Sequence, residues 1–249
     1  FLTNLIMSEV KMYHDDDADT AILKGKKIAV IGYGAQGKAQ AMMMHESGLD
    51  VVVGVRENGA SWDAVEKDGL ARASIAKASA EADIIHILIP DEYQKEVYLK
   101  DIEPHLTPGK ILSFSHGFCI VYGQIMAPEG VGVIMVAPKS PGTEEYKVYK
   151  EGFGVPALIA VEKDTENNDA LQIALAMAKA MHFTKAGVLE CTFKQETYED
   201  LFGEQAVLCG GVTELMKTGF EVLIEAGYPP ELAYFECLHE MKLIIDLVR

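Results

Sequence analysis

From Lys26 to about Leu189, short runs of aliphatic and β-branched residues recur: Lys27–Ile31, Val51–Val55, Ile84–Ile89, Lys110–Ser115, Gly132–Ala137 and Ala157–Val161. Several are apolar at every position rather than alternating, the pattern of strands covered on both faces. Stretches with helical spacing lie between them, such as Gln36–Ser47 and Ser61–Asp68. Strand, helix, strand in that rhythm predicts an α/β fold with a doubly wound parallel sheet. After about Cys191 the pattern becomes helical only, over Gln195–Gly219 and Glu231–Arg249. Between those two, Gly227 stops one helix and Pro230 suits the first turn of the next. The chain therefore divides near residue 190, into an N-terminal domain over 1–190 and an all-helical domain over 191–249. The segment Leu243–Arg249 is still amphipathic, with no Gly or Pro stop. It reads as a helix cut short, and the natural polypeptide is expected to continue.

Composition narrows the function. The 249 residues are 49% hydrophobic and 24% charged, which excludes a disordered or fibrous chain. Acidic residues outnumber Lys and Arg by 38 to 22, a formal charge of -16, so nucleic acid and anionic membrane are poor partners. No apolar run reaches the roughly 20 residues of a membrane helix. The apolar start, Phe1–Met7, lacks the basic flank and small-residue cleavage site of a signal peptide and reads as a leader or scar. Cys119, Cys191, Cys209 and Cys237 have no metal-type spacing. They read as small buried hydrophobes in a reducing, cytoplasmic compartment.

The first strand runs directly into Gly32-Tyr33-Gly34-Ala35-Gln36-Gly37, a GxGxxG between a strand and a helix. Glycines there permit a tight turn and close approach to a pyrophosphate, and the helix N-terminus supplies oriented N–H groups. With a second strand following where a βαβ unit requires it, this predicts a Rossmann-type dinucleotide site. An NAD-type site places an acid at the end of that second strand. Here Arg56 stands there and Ser61 follows, a guanidinium and a hydroxyl suited to a 2′-phosphate. Glu57 could instead reach a 2′-hydroxyl. NADPH is favoured and NADH remains possible.

The helical part carries two carboxylate pairs, Asp200 with Glu204 and Glu236 with Glu240. Each is spaced i,i+4 on one helix face without Lys or Arg at i±3 or i±4. Glu196 adds a third acid one turn before Asp200. Apolar neighbours such as Phe202, Val207, Leu208, Tyr234, Phe235, Ile244 and Ile245 suggest burial, and buried acids need protons, bases or cations. Four hard oxygen donors suit Mg²⁺, as one or two ions, and two solvated acidic faces are the alternative. His116 and Lys139 each follow a strand at the ligand edge of such a sheet. For each, a structural or solvated role remains open. His86 reads as a core residue with one satisfied nitrogen, and the Met42–Met44 run as packing.

Together these blocks resemble ketol-acid reductoisomerases. The resemblance rests on the glycine loop, Pro90–Gln94, Ser115–Phe118, Ala137–Gly142, Asp200–Gly211 and Ala233–Glu240. It extends from roughly Tyr13 to the last residue and points to the family's shorter form, in which paired subunits complete each other's active sites. It implies a homodimer or higher homo-oligomer acting on acetohydroxy acids in branched-chain amino-acid biosynthesis. Gly32, Tyr33, Gly34, Ala35, Gln36, Gly37, Arg56, Ser61, Asp91, Glu92, Tyr93, Gln94 and Gly142 would form the cofactor site. Asp200 and Glu204 would hold two Mg²⁺ with Glu236 and Glu240 of a partner, and His116 and Lys139 would flank the reacting groups. The implied reaction is Mg²⁺-dependent alkyl migration in 2-acetolactate or 2-aceto-2-hydroxybutyrate, followed by NADPH reduction to the 2,3-dihydroxy acid. Gly59 stands where shorter-form members often have Ser, which points to weaker NADPH preference, and Ser140 where Gly or Cys is common. Family chains continue into helices bearing a Ser-Asn-Thr stretch that the sequence to Arg249 does not include. Two other readings stay open. A β-hydroxyacid dehydrogenase would carry a catalytic Lys in the helical part and need no metal, and the lack of bases beside the acid pairs argues against it. A truncated, non-catalytic NADP-binding subunit would bind cofactor without turnover.

Overall fold

The computed structural model describes residues 10–248. The Phe1–Met7 segment and Arg249 lie outside them. Two compact units make up the chain, Phe1–Thr197 and Tyr198–Arg249.

In the first unit, Ile28 and Val30 point into one core while Ala29 and Ile31 point into another, and all four are fully buried. A strand with a core on each face favours apolar residues at successive positions, which explains this unbroken apolar run. The strands are β1 (Met12–Tyr13), β2 (Lys27–Ile31), β3 (Asp50–Gly54), β4 (Ala71–Ala73), β5 (Ile84–Ile87), β6 (Ile111–Phe114), β7 (Gly132–Pro138), β8 (Ala157–Lys163) and β9 (Val188–Glu190). They form one sheet in the order β1-β9-β8-β7-β6-β5-β2-β3-β4. The chain returns from β4 to β5 on the other side of β2, so the topological switch point lies between β2 and β5, where ligands of such sheets collect. The helices α1 (Ala35–Glu46), α2 (Trp62–Lys67), α3 (Ile75–Glu81), α4 (Asp91–Val97), α5 (Phe118–Val121), α6 (Gly142–Lys150), α7 (Ala170–Ala180) and α8 (Phe183–Ala186) connect them. Met43 and Met44 are fully buried, in keeping with a packing role for that run.

The sheet is not wholly parallel. β8 runs antiparallel to β7, with Ala157 opposite Pro138, and β1 pairs antiparallel to β9. The chain thus turns back at the edge where β7 ends, and α6 packs on α1 in between. The cysteines also depart from expectation: Cys119 is buried, Cys191 and Cys237 are half-buried, and Cys209 is exposed, all four as free thiols.

Helix α9 (Phe193–Gly203) spans the division between the units. The second unit continues with α10 (Gly210–Glu225), α11 (Pro230–Tyr234) and α12 (Glu240–Val248), and Pro230 occupies the first turn of α11 as predicted. Two long helices were expected here. Instead each is widened by a π-helical turn, at Glu204–Leu208 and at Phe235–His239. The glycines explain the first. A Cβ at Gly210 would lie 2.1 Å from the Gln205 carbonyl oxygen, and one at Gly211 2.1 Å from that of Ala206. Only residues without a side chain admit carbonyls swung that close. No described helix is long and apolar enough to cross a membrane.

Candidate functional site

The C-terminal edge of the sheet opens into a cleft of about 600 Å³. Gly32, with φ +102, turns the chain out of β2 so that Gly34 caps α1 and leaves its first N–H groups facing outward. Tyr33 lines the cleft, and its hydroxyl donates to Asp68 at 2.8 Å. That carboxylate also holds Lys38 at 2.7 Å. Burial first, and the Asp68 hydrogen bond second, push the Tyr33 phenol well above its usual range, so it stays a donor.

Opposite the glycine loop, β3 ends and the chain turns through Arg56 to Ser61. The Gly59 amide donates to the Arg56 carbonyl at 3.0 Å, and Asn58 takes φ 58. Arg56 and Ser61 both line the cleft, and Arg56 and Glu57 are exposed. From the next crossover Pro90 and Tyr93 contribute, with Tyr93 58% exposed. Ala35 and Gln36 begin α1, and Gly37 is buried beneath it. Glu92 faces solvent. Gln94 turns inward instead: its amide donates to the Ile89 carbonyl and to Asp91 Oδ1, both at 2.9 Å. Gly142 approaches the first turn of α1, where an added Cβ would fall 2.5 Å from the Ala35 carbonyl carbon. Its place is against the backbone that follows the glycine loop.

His116 follows β6 on the same edge. Its Nδ1 lies 3.0 Å from Glu196 Oε1, and its Nε2 lies 3.9 Å from Asp91 Oδ2. Glu196 is 1% exposed, and its second oxygen accepts the Gly117 amide at 2.9 Å. This acid ties the loop after β6 to α9, a role that sequence reasoning did not assign to it. The clue was its place one turn before Asp200 on the same helix face. Lys139 is exposed just past β7, its amide bonded to the Pro156 carbonyl at 2.8 Å. His86 has both nitrogens satisfied, by Ser113 at 2.9 Å and Gln40 at 2.7 Å, where one was expected.

The second unit does not bury its acids. Glu204, Glu236 and Glu240 are exposed, and Asp200 is half-buried. The apolar residues flanking them are exposed as well, including Phe202 at 69%, Leu208 at 68% and Phe235 at 55%. The expected burial is therefore absent from a single chain, because this helical unit has too little surface of its own to cover an apolar face. Among the described residues Ala233 is the one buried hydrophobe after Phe193. Among the described residues Glu204, Glu236 and Glu240 form no ion pair, which leaves three carboxylates without a cation.

Residues 22–187 match the family described as acetohydroxy acid isomeroreductase, NADPH-binding domain. Residues 193–249 match ketol-acid reductoisomerase, C-terminal domain. The chain is 59% identical over 244 residues to a ketol-acid reductoisomerase (NAD(+)) of an uncultured archaeon, covering 96% of this chain and 73% of that one. It is 61% identical over 239 residues to a ketol-acid reductoisomerase (NADP(+)) of Methanocaldococcus jannaschii, covering 96% and 72%. Among solved structures, an NADH-preferring ketol-acid reductoisomerase from an uncultured archaeon superposes with a TM-score of 0.91 at 59% identity, covering 96% and 73%. A Mycobacterium tuberculosis 3-hydroxyisobutyrate dehydrogenase reaches a TM-score of 0.57 at 15% identity over 81% and 66%, a likeness of fold alone. The glycine-loop cleft, the seated histidine and the paired acids thus fall within matched domains, and the chain belongs to the ketol-acid reductoisomerase family, as an oxidoreductase with a nicotinamide-dinucleotide domain.

Proposed function

We propose that the chain converts acetohydroxy acids such as 2-acetolactate or 2-aceto-2-hydroxybutyrate into 2,3-dihydroxy acids, in branched-chain amino-acid biosynthesis. The observation that carries this is one chain holding both a dinucleotide cleft at the switch point and two carboxylate pairs in which, among the described residues, Glu204, Glu236 and Glu240 form no ion pair. Bound NADPH supplies a hydride, and bound Mg²⁺ supplies Lewis acidity for the alkyl migration. Asp200 and Glu204, with Glu236 and Glu240 from a second copy, offer the hard oxygen donors Mg²⁺ prefers. The exposed apolar residues around those acids support a homodimer in which each copy covers the other's helical unit. Glu196 holds His116 through Nδ1 and the Gly117 amide through its second oxygen, which fixes the imidazole at this edge to exchange a proton with the substrate. Lys139, cationic and exposed at the same edge, suits the substrate carboxylate. Four free thiols agree with a cytoplasmic setting.

NADPH oxidation with 2-acetolactate tests the whole reading. Turnover is expected only with Mg²⁺ present. Metal-independent turnover would favour the dehydrogenase reading, and cofactor binding without turnover the non-catalytic one.

Arg56→Ala weakens NADPH by roughly ten- to a hundredfold, the worth of a charge-assisted hydrogen bond, and NADH by less than about twofold. Equal weakening in competition binding would defeat the 2′-phosphate role. Both NAD(+) and NADP(+) enzymes stand among the relatives, so this contrast decides the preference. Glu196→Gln keeps an acceptor for the Gly117 amide but lets an amide N–H face His116 Nδ1 and invert its tautomer. Turnover falls about a hundredfold with little change in NADPH affinity. A proportionate loss of cofactor binding would instead mean that the loop after β6 has collapsed.

A further inference from the structure

Behind the cofactor loop, between the sheet and α1, lies a buried polar cluster that the proposed reaction does not use. Gln40 on α1 is wholly buried, and its Oε1 receives the His86 Nε2 hydrogen at 2.7 Å. Its amide nitrogen donates to Ser115 Oγ at 3.3 Å, and Ser115 donates onward to the Val136 carbonyl at 2.9 Å. The last member is Glu145 on α6, only 1% exposed, whose carboxyl faces the Gln40 amide without either oxygen reaching full hydrogen-bond geometry. Buried carboxyls without partners are rare, because a charge there forfeits its solvation without compensation.

Glu145 is one turn beyond Gly142, whose backbone lies against Ala35 and Gln36. At the far end of α6 the Tyr149 hydroxyl lies 3.1 Å from Ser47 Oγ, just past α1. Gly142, Glu145 and Tyr149 are therefore three successive points at which α6 rests on α1, and Glu145 is the ionisable one buried between the others. The helix they grip begins with the N–H groups of the cofactor cleft.

We propose that Glu145 is a positioning residue for the cofactor loop: as an uncharged carboxylic acid facing Gln40, it lets α6 seat on α1 and so holds the first turn of α1 in place. This rests on the reading of the cleft as the dinucleotide site. The carboxyl is held up to about 8 by burial, with Gln40 pulling the other way. Other titratable groups on the adjoining elements are already committed. Lys38 is paired with Asp68, and Glu46 with Tyr146 and Lys150. On α6 itself Glu144 pairs with Lys147. His45 is exposed at the end of α1. His86, pushed down to about 4 by burial against a weaker opposing hydrogen bond from Ser113, stays neutral across the alkaline range. The folded chain keeps a proton that the unfolded chain releases within the usual carboxylate range. This group's contribution to stability therefore falls as pH rises from that range to about 8, and is flat above it.

The test measures NADPH affinity by fluorescence from neutral to alkaline pH, beside the infrared band of protonated carboxyl groups. If only the uncharged form binds, affinity falls about tenfold for each pH unit above the midpoint. In the parent chain a carboxyl band is expected to disappear near pH 8, in step with the affinity. Glu145→Gln, uncharged at every pH, should lack the band and change its NADPH affinity less than about twofold over the same range. Gln40→Met, which removes the opposing amide, should move the midpoint to higher pH. An alkaline loss that persists in Glu145→Gln overturns the inference, as does an unmoved midpoint in Gln40→Met. A chain that binds no NADPH at any pH overturns the cofactor reading itself, and this inference with it.

Discussion

Glu204→Gln leaves Mg²⁺-dependent turnover of 2-acetolactate at or below about 10⁻³ of the parent rate, while the NADPH Kd shifts less than about twofold. The substitution is isosteric and the residue is exposed at the start of a π-helical turn, so nothing in the core depends on it. What changes is charge. A divalent ion prefers anionic oxygen, and an amide offers one neutral oxygen where the carboxylate offered two charged ones. Losing about 4 kcal/mol of Lewis-acid stabilisation is enough for a thousandfold fall. Raising Mg²⁺ should restore only part of the rate, because the lost charge acts on the transition state as well as on ion affinity. Turnover within tenfold of the parent at saturating Mg²⁺ would remove Glu204 from the metal site. The NADPH measurement makes the result specific, since the proposed cofactor contacts lie on the glycine loop and the Arg56–Ser61 turn. A parallel loss of both functions would point to unfolding.

Much of the sheet could be read from sequence because each of its central strands meets a core on both faces. Ile28–Ile31 is an uninterrupted apolar run, and Ile84–Ile87 is broken only by His86, a short β-branched pattern that suits a strand of that kind. The short outer pieces escaped. Met12–Tyr13 and Val188–Glu190 are held by pairing with distant segments, and two or three residues leave no periodicity to detect. Nor does composition say which way β8 runs. Val133–Pro138 and Ala157–Lys163 are apolar whichever way they pair, and direction follows from where α6 lies. The wide turn at Glu204–Leu208 was written in Gly210 and Gly211, but paired glycines in a helical pattern usually suggest weakness rather than a π turn. The acids were misread in one respect. Helices apolar on most faces are buried only when something covers them, and that cover is not a property of one chain's pattern. Glu196 and Glu145 show the converse. Each has other acids close by in sequence that stay more exposed, yet both are almost fully enclosed, because tertiary packing rather than local pattern decides where a single carboxylate ends up.

Gly142→Ala should weaken NADPH at least tenfold and lower stability by about 1–3 kcal/mol, because the new methyl meets the main chain of α1. The obstacle is space. An added Cβ would sit 2.5 Å from the Ala35 carbonyl carbon, 2.6 Å from its oxygen and 2.6 Å from the Gln36 nitrogen. All three are main-chain atoms in the first turn of α1 and cannot rotate aside as a side chain can. Either α6 lifts or the first turn of α1 shifts outward. The first costs the contacts of Glu145 and Tyr149, and the second displaces the N–H groups offered to the pyrophosphate. Displacement by even a few tenths of an ångström degrades hydrogen bonds that depend on direction. Both nicotinamide cofactors should lose affinity equally, since the pyrophosphate is common to them, whereas Arg56→Ala separates them. Isothermal titration with NADPH and NADH, with thermal unfolding alongside, measures all three quantities. Unchanged affinity with lowered stability would show that α6 yields and α1 does not. The α6–α1 contact would then be a matter of folding alone, and the seat proposed for Glu145 would have no hold on the cofactor loop.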